Sequence, residues 1–318
     1  MNLIDMHCDT FWMLMRGQTE GLRSNQWAVD IEKMKEAGSL AQFFACFIYM
    51  DDFVGEERYT KAYEHALNMI AYGKKQLYDC AEDIAIAMSY EDLKGNQAKG
   101  LMSAFLTIEE GGILENDMLR LERLYQEGVR LMTLTWNYEN CIGFPNSRDT
   151  SVMQAGLKPF GIEVVERMNQ LGMLIDASHL SDGGFWDVLK YSKKPIVASH
   201  SNCRSICGHP RNLSDDMMKA LANHGGIAGI NFYPYFLNSN GVASMEMIAE
   251  HMWHMYQVGG EDVIGVGTDF DGFDEGQSDI THIGQTKALY DVVTKRGFTE
   301  RQREKFWSKN VIRILKQM

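Results

Sequence analysis

Three histidines and a nearby acid in this sequence have the types and spacing of metal ligands. His7 and Asp9 stand two residues apart at the end of an apolar run, and His179 and His200 each follow another apolar run. On an extended strand, side chains two residues apart point to the same face, so His7 and Asp9 should project together. An imidazole nitrogen beside a carboxylate oxygen is half of a site for a divalent metal. Taken alone, each piece is explained at least as well by a hydrogen-bonded polar loop, and only their combination favours a metal site.

Two pairs of acidic residues also follow apolar runs. Glu109 and Glu110 come directly after one run, and Asp269 and Asp271 come shortly after another. A carboxylate of the glutamate pair could bridge two half-sites, but the alternation of a strand does not choose between Glu109 and Glu110. Two metals about 3.5–4 Å apart can share a water, lower its pKa and polarise a carbonyl. The glutamates could instead favour the start of a helix through its dipole, and the aspartates could form a turn.

Eight apolar segments alternate with helical patterns along the chain and would position these residues. The segments begin near Leu3, Ala41, Met102, Arg130, Met173, Ile196, Ile227 and Val263. Their continuous apolar character is typical of parallel strands that are buried on both faces. Eight such strands, each followed by a helix, predict an α/β fold, a TIM-type (β/α)8 barrel, as one domain over residues 1–318 with helices at its C-terminal end. We also predict a brief extra strand at 84–88 and a polar link at 91–99.

The barrel prediction explains why the polar residues follow strands. In this architecture the C-terminal ends of all strands converge at one mouth, where the chemistry is carried out. The histidines and acids above would therefore meet, although they are distant in sequence. A doubly wound open sheet is the rival fold, but no Gly-x-Gly-x-x-Gly follows a strand and no phosphate-binding GxxxxGK[ST] loop is present.

Composition and charge argue against several classes of partner. The 318 residues include 31 basic and 43 acidic side chains, a net charge of −12, so neither nucleic acid nor an anionic membrane is expected as a partner. No apolar run reaches the roughly 18–20 residues of a membrane span, and the N-terminus lacks the pattern of a secretory signal. The six scattered cysteines predict reduced thiols and a cytoplasmic location. No Gly-x-Ser-x-Gly motif supports a serine hydrolase.

The chain resembles the renal (membrane) dipeptidase family of zinc dipeptidases, which belongs to the amidohydrolase-like barrels. The matching segments are Asp5-Met-His7-Cys-Asp9, Glu110-Gly-Gly, Leu124-Tyr-Gln-Glu-Gly-Val-Arg-Leu-Met-Thr-Leu-Thr, Ile175-Asp-Ala-Ser-His179-Leu-Ser, Ser199-His200-Ser, Pro210-Arg211-Asn-Leu-Ser-Asp-Asp, Asn231-Phe-Tyr233 and Gly267-Thr-Asp269-Phe-Asp-Gly. They occur in the family's order and extend from the N-terminus to beyond residue 270. The resemblance therefore covers nearly the whole chain.

The resemblance implies a ligand set for two zinc ions per chain. His7, Asp9 and Glu110 would hold one ion, and Glu110, His179 and His200 would hold the other. The family places the bridging carboxylate at the glutamate just before Gly-Gly, which selects Glu110.

The resemblance also implies roles around the metals. Arg211 would bind the C-terminal carboxylate of the substrate, a task suited to a guanidinium. Asp269 would move the proton from water to the leaving amine, and Tyr233 would line the substrate pocket. Some members carry a histidine that stabilises the oxyanion directly after the strand that here ends Met-Thr-Leu-Thr. This chain has Trp136 at that place, followed by Asn137, so Asn137 or the metal charge would do that work.

These expectations together describe a cytoplasmic metallodipeptidase that hydrolyses short dipeptides, with a D-residue at the C-terminal side as one candidate substrate class. The alternative within the superfamily is another amide hydrolase, such as an N-acyl-D-amino-acid deacylase or a lactamase-like enzyme. A non-catalytic metal-binding barrel is disfavoured, because neither Arg211 nor Asp269 is needed merely to bind metal. The assembly is left open, with a homodimer as one alternative.

Overall fold

The computed structural model describes residues 2–17, 21–273 and 276–318. The strands, in chain order, are β1 (Leu3–Cys8), β2 (Ser39–Phe47), β3 (Ile84–Ile86), β4 (Met102–Glu109), β5 (Val129–Thr133), β6 (Leu174–Asp176), β7 (Val197–Ala198), β8 (Ile227–Ile230), β9 (Val242–Ala243), β10 (Ile264–Val266) and β11 (Gln277–Ser278). The helices are α1 (Thr10–Gly17), α2 (Ile31–Ala37), α3 (Arg58–Tyr78), α4 (Tyr90–Ala98), α5 (Met118–Gln126), α6 (Thr150–Met153), α7 (Pro159–Leu171), α8 (Asp182–Tyr191), α9 (Asp215–Asn223), α10 (Pro234–Leu237), α11 (Met245–Gly259), α12 (Thr286–Lys295), α13 (Glu300–Glu304) and α14 (Asn310–Leu315). Short 3₁₀ segments lie at Met50–Asp52, Gly111–Leu114 and Ile283–Gln285, and a π-helical turn at Lys305–Lys309 joins α13 to α14.

Eight parallel strands close into a barrel, as the sequence predicts. Their order around the barrel is β2, β1, β10, β8, β7, β6, β5 and β4, and pairing between β4 and β2 closes the ring. The short β3 pairs with the first half of β4, whose second half pairs with β5, so β3 is an addition outside the ring. The strands β9 and β11 form a separate parallel pair. The predicted (β/α)8 fold is confirmed.

The core has an inner and an outer layer. Inside the barrel, the rings of Phe43 and Phe105 stack with centroids 4.6 Å apart, within a buried cluster that also takes Met6, Leu131 and Ile227 from other strands. A larger apolar cluster fills the space between the strands and the surrounding helices. Because the barrel strands are buried on both faces, their sequences are mostly apolar, which explains why the sequence predicts these strands.

Local signals set the ends of several helices where the sequence predicts them. Pro159 stands in the first turn of α7, and Gly172, with φ of 74°, ends it in the left-handed conformation. The side chain of Asp117 accepts a hydrogen bond from the backbone N–H of Leu119 at the start of α5. The apolar periodicity of the sequence predicts helices over 118–126, 159–171 and 286–295, and the bounds of α5, α7 and α12 agree with these ranges.

The sequence prediction missed four of these helices, the short α6 and α10 and the longer α4 and α1. The stretch 91–99, expected to be a polar link, is part of α4, where Ser89 caps the N-terminus by accepting from the backbone N–H of Asp92 at 3.1 Å and Leu93 is buried. The helix α1 directly after β1 was also not predicted, although Phe11 and Leu14 bury one side of it. In α4 few apolar residues mark the buried side, so tertiary packing decides the conformation. The helix α1 is largely apolar but only eight residues long.

Within the part of the chain that the structure describes, no helix combines the length and apolar character needed to cross a bilayer.

Candidate metal centre

Side chains from five barrel strands meet at the C-terminal mouth. His7 Nε2 lies 3.3 Å from Asp9 Oδ2 and 3.8 Å from Asp269 Oδ1, which joins residues at the ends of β1 and β10. His179 Nε2 and His200 Nε2, which follow β6 and β7, lie 3.0 Å apart. All of these side chains are buried. The pairing of His7 with Asp9 and the convergence with the other histidines therefore agree with the sequence prediction.

Glu109 lies between the two groups of ligands. Its Oε2 is 3.2 Å from Nε2 of His7, while its Oε1 is 3.1 Å from Nε2 of His179 and 3.6 Å from Nε2 of His200. Glu109 is the last residue of β4 and shares a face with Phe105, four residues earlier, which belongs to the barrel interior. One carboxylate thus contacts histidines from three strands.

Glu110 does not occupy the bridging position, and this corrects the choice made from the sequence. Its Oε1 accepts from the backbone N–H of Gly112 and from Asn140 Nδ2, both at 2.6 Å, and its Oε2 accepts from the backbone N–H of Trp136 at 2.8 Å. Glu110 lies beyond the end of β4 with φ of 93°, so its side chain turns away from the face of Glu109. A Cβ at Gly112 would collide with this carboxyl group, so the glycine permits the close approach. Glu110 fastens the loop that carries Trp136.

Hydrogen bonds orient the two close histidines. His179 Nδ1 contacts Asn137 Oδ1 at 3.0 Å, and His200 Nδ1 contacts Ser199 Oγ at 2.7 Å. Ser199 in turn donates to Asp176 Oδ2 at 2.6 Å, so its oxygen accepts from His200. With a proton on each Nδ1, both Nε2 atoms carry lone pairs directed at Glu109 and at each other. Partners of this kind fix the tautomer and orientation of metal-ligating histidines.

The backbone at this mouth is unusual. His179, Asp269 and Asp271 have φ of 67°, 62° and 68°, in the left-handed region that side chains other than glycine rarely adopt. Such conformations persist where the surroundings impose them, and they cluster at functional sites. Asp5 supplies part of that constraint: its carboxyl oxygens accept from the backbone N–H groups of His7 and Thr268 and from the Thr268 hydroxyl, which ties β1 to β10.

Burial and mutual charge shift the pKa values of the clustered groups. Burial raises the pKa of Asp9 to about 7 and that of Asp269 to about 6. Burial opposes ionisation of Glu109 as well, yet the charges and hydrogen bonds of His7 and His179 outweigh it and lower the pKa of Glu109. Burial lowers the pKa of His179 to about 4, with the charge of Arg211 as the second cause. Against the effect of burial, Glu109 and Asp9 raise the pKa of His7, whereas burial lowers the pKa of His200 as it does that of His179. Three buried carboxyl groups beside two neutral imidazoles favour a bound cation.

Buried polar atoms without hydrogen-bond partners are a second indication that these residues bind a divalent metal. His7 Nδ1 and Asp9 Oδ1 are buried and have no hydrogen-bond partner among the described residues. Buried polar atoms of this kind are normally satisfied. Two groups of three could each hold an ion, His7 with Glu109 and His200, and His7 with Asp9 and Asp269. Imidazole nitrogens and carboxylate oxygens are the donors that zinc accepts.

Arg211 is buried beside this cluster, and no carboxylate of the described residues is hydrogen-bonded to it. Its two terminal nitrogens donate to Ser201 Oγ and to the carbonyl oxygen of His200, both at 3.2 Å, and its Nε has no partner among the described residues. Burial lowers the pKa of Arg211 to about 10, with the charges of Asp269 and Glu109 acting against it. A buried guanidinium whose hydrogen bonds within the described residues go to neutral oxygens is suited to receive an anion.

A cavity of about 480 Å³, here called the catalytic cavity, opens over the cluster. Glu109, Asp9, Asp269 and His179 form its polar floor, and the expected substrate residues Tyr233 and Asn137 both line it. Its walls also include Trp12, Arg16, Phe47, Tyr49, Trp136, Phe236, Gly272 and Phe273. This volume suits a small molecule that is largely surrounded by protein. Asn137 Oδ1 is engaged with His179, so the structure places Asn137 as a partner of that histidine as well as a wall residue.

Sequence reasoning missed three positioning residues, Asp176, Ser199 and Asn231. Asn231 Nδ2 donates to Asp269 Oδ2 at 2.8 Å, and Asp176 and Ser199 act on His200 as described. The sequence does carry a signal for these three residues. Each is a small polar residue at the end of an apolar strand, and each lies within three residues of a candidate residue or in a matching segment.

Comparisons with known proteins agree with this geometry. Residues 1–318 match the family model described as membrane dipeptidase, peptidase family M19. An uncharacterised dipeptidase of Schizosaccharomyces pombe is 28% identical over 305 residues, which covers 91% of this chain and 71% of that protein. The crystal structure of a metallopeptidase named dipeptidase AC, of family M19, superposes with a TM-score of 0.91 at 25% identity and covers 100% of this chain and 98% of its own. A metallopeptidase of Rhodobacter sphaeroides, crystallised with a phosphinate mimic of the dipeptide L-Ala-D-Ala, gives 0.89 at 24% identity, with 100% and 99% covered.

Proposed function

The chain belongs to the membrane dipeptidase family, peptidase family M19, and it is a metal-dependent peptide hydrolase, a premise from which we propose that it is a binuclear zinc dipeptidase. The observation that carries the proposal is the position of Glu109. One carboxylate whose two oxygens contact histidines on opposite sides is the arrangement that a bridging ligand requires.

The donor atoms divide into two sets that share Glu109. His7 and Asp9 would complete one zinc site, and His179 and His200 would complete the other. When bound, a pair of divalent ions lowers the pKa of water and polarises a substrate carbonyl. The hydrogen bonds from His179 to Asn137 and from His200 to Ser199 hold both imidazoles in the tautomer that offers Nε2 to a metal.

Asp269 is our candidate for general acid and base. Asn231 holds its Oδ2, while Oδ1 is directed towards His7 and the carboxyl group lines the catalytic cavity. Burial raises the pKa of Asp269 in the metal-free protein, and a buried carboxyl group beside the substrate is the kind of group that exchanges protons in catalysis. Its task would be to take the proton from water and deliver it to the amine that leaves.

Arg211 and the size of the catalytic cavity define the substrate. A free α-carboxylate would supply the anion that the buried guanidinium lacks, with Tyr233 and Phe236 in the adjoining wall. This restricts the substrate to a short peptide whose C-terminal residue lies at Arg211. The L-Ala-D-Ala mimic in the Rhodobacter sphaeroides metallopeptidase supports extending the proposal to a D-residue at the C-terminal side.

The test combines metal analysis with a substrate screen on the same preparation. We expect close to two zinc ions per chain and hydrolysis of L,L- or L,D-dipeptides that is lost on exhaustive chelation and restored by zinc. N-acyl-D-amino acids and lactams serve as comparison substrates. Hydrolysis that survives complete metal removal would contradict the mechanism, and turnover of acyl amino acids alone would move the assignment to a deacylase.

Three further features stay predictions from the sequence. They are a single domain over residues 1–318, a cytoplasmic location, and the open alternative of a homodimer.

A further inference from the structure

A second cavity, here called the side cavity, adjoins the catalytic cavity. Its volume is about 420 Å³, and Tyr233 lines both cavities. The other residues of its wall are Arg148, Cys207, Gly208, His209, Tyr235 and Ser239. A cavity of this size that shares a wall residue with the reaction site can receive part of the same substrate.

Among the described residues, the charge that lines the side cavity has one sign. Arg148 is the charged residue of this part of the wall, which contains no Asp or Glu. The side chain of Arg148 is exposed, so its field reaches the cavity through solvent and acts mainly at short range. An anionic group would be favoured in this space and a cationic group disfavoured.

His209 adds a neutral hydrogen-bond donor. Its Nδ1 accepts from the backbone N–H of Arg211 at 3.2 Å, so the ring proton is carried by Nε2. Burial lowers the pKa of His209 to about 4, and the charges of Arg211, Arg148 and Arg204 act in the same direction. At neutral pH the imidazole is therefore uncharged and presents an N–H group rather than a second lone pair.

The side cavity lies next to the group proposed to bind the substrate carboxylate. The backbone N–H of Arg211 donates to the side chain of His209. Both side chains contact the ring of Phe236, with the His209 ring at 4.7 Å between centroids and the guanidinium carbon of Arg211 at 5.4 Å from the ring centroid. A substrate whose α-carboxylate is held by Arg211 would thus place the side chain of the same residue close to this space.

We propose that the side cavity is a subsite for a carboxylate on the side chain of the substrate's C-terminal residue, so that the preferred dipeptides end in an acidic residue. This inference rests on the proposed dipeptidase function and adds the chemical class of the C-terminal side chain. Arg148 supplies the charge, His209 supplies a donor, and Tyr233 separates this subsite from the metal centre.

The test compares substrates that differ in charge and little in shape. We would measure kcat/KM of the zinc-loaded protein for Ala-Asp against Ala-Asn and for Ala-Glu against Ala-Gln, in both L,L and L,D series. We expect a preference of roughly fivefold for the acidic member in the series that is hydrolysed, because an exposed arginine contributes modestly. The preference should shrink at high ionic strength.

Two variants and a control assign the effect to this cavity. Arg148→Met should reduce the acidic-to-amide ratio to near one, and Arg148→Lys should retain most of it. Arg296→Met, at an exposed residue that lines neither cavity, should leave the ratio as in the parent protein. As a second measurement, free aspartate should inhibit hydrolysis of Ala-Ala more strongly than free asparagine, and Arg148→Met should remove that difference.

The outcomes separate this inference from the function on which it rests. Hydrolysis of neutral dipeptides with ratios within twofold of one would overturn the subsite and leave the dipeptidase intact. A preference that persists in Arg148→Met would overturn the assignment to the side cavity. If no dipeptide of either series is hydrolysed, the proposed function fails and the subsite fails with it.

Discussion

The Nε2 atoms of His179 and His200 lie 3.0 Å apart in a buried site, while the Nδ1 atom of each ring is bonded to an oxygen. Two lone pairs at this separation repel each other unless a cation lies beside them. The Oε1 atom of Glu109, 3.1 Å and 3.6 Å from the two Nε2 atoms, completes a set of donors that a divalent ion would satisfy. The predictions below test how this arrangement works.

Exchanging Glu109 or Glu110 for glutamine should have different consequences. In Glu109→Gln the shared negative charge is lost, so we expect zinc content to fall below two per chain and kcat to drop about 10³-fold, the equivalent of several kcal/mol. In Glu110→Gln the metals should remain, because its carboxyl group bonds to Gly112, Trp136 and Asn140. The measurements are metal analysis and steady-state kinetics on both proteins.

The Glu110 variant also predicts a change in stability. In Glu110→Gln an amide NH2 group replaces one carboxyl oxygen and faces an N–H group that this oxygen accepts from in the parent protein. A buried donor then lacks an acceptor, which should lower the free energy of unfolding by about 1–3 kcal/mol. Loss of zinc in Glu110→Gln, with normal zinc in Glu109→Gln, would restore Glu110 as the bridging ligand.

Removing the partner of His179 should weaken metal binding without removing a ligand. In Asn137→Ala, His179 Nδ1 loses its acceptor, and we expect the affinity for one of the two zinc ions to fall about 10- to 100-fold. Asn137→Asp keeps an acceptor at the same place and should retain the affinity. Competition with a chelator of known affinity provides the measurement, and equal affinities in all three proteins would show that Asn137 has no such role.

Arg211→Met should impair substrate binding while zinc content stays unchanged. Loss of one partner of a buried charge pair costs about 2 kcal/mol or more, so kcat/KM for dipeptides should fall at least roughly thirtyfold, mainly through KM. Arg211→Lys should recover only part of the loss, because an ammonium group cannot form the two parallel hydrogen bonds that a planar guanidinium makes to a carboxylate. A fall in zinc content instead would mean that Arg211 supports the metal site.

The buried His251 should make stability depend on pH. Its Nδ1 accepts from the backbone N–H of Cys203, its Nε2 contacts the carbonyl of Leu237, and burial lowers its pKa from 6.5 to about 4. Between these two pH values the unfolded chain binds a proton that the native state does not. The free energy of unfolding should therefore fall as pH drops through this window, by about 3 kcal/mol at pH 4, and should be insensitive to His251 above it.

The matched comparison for this pH effect is His251→Gln, which keeps a donor and an acceptor but does not titrate. Urea unfolding at pH 7 and at pH 4.5 should show a smaller loss of stability in the variant than in the parent protein. Parallel losses in the two proteins would mean that His251 is protonated in the native state.

Most of the fold can be predicted from the sequence, and the two longer helices that the prediction misses, α1 and α4, share a physical explanation. The eight barrel strands follow from continuous apolar segments, and α7 is marked by Pro159 and Gly172. The helices α1 and α4 are short, and contacts with the rest of the protein, such as burial of Phe11 and Leu93, stabilise them. Local sequence carries the first kind of information and only weakly the second.

The sequence by itself determined the barrel, the family, and the placing of His7, Asp9, His179 and His200 after strands. Only the tertiary structure decided between Glu109 and Glu110. Since β4 is buried on both faces, its apolar pattern has no phase from which to tell which glutamate faces the interior. The same holds for the hydrogen bond from His179 to Asn137, which joins residues 42 positions apart. Which side chains meet across such distances depends on the closure of the barrel.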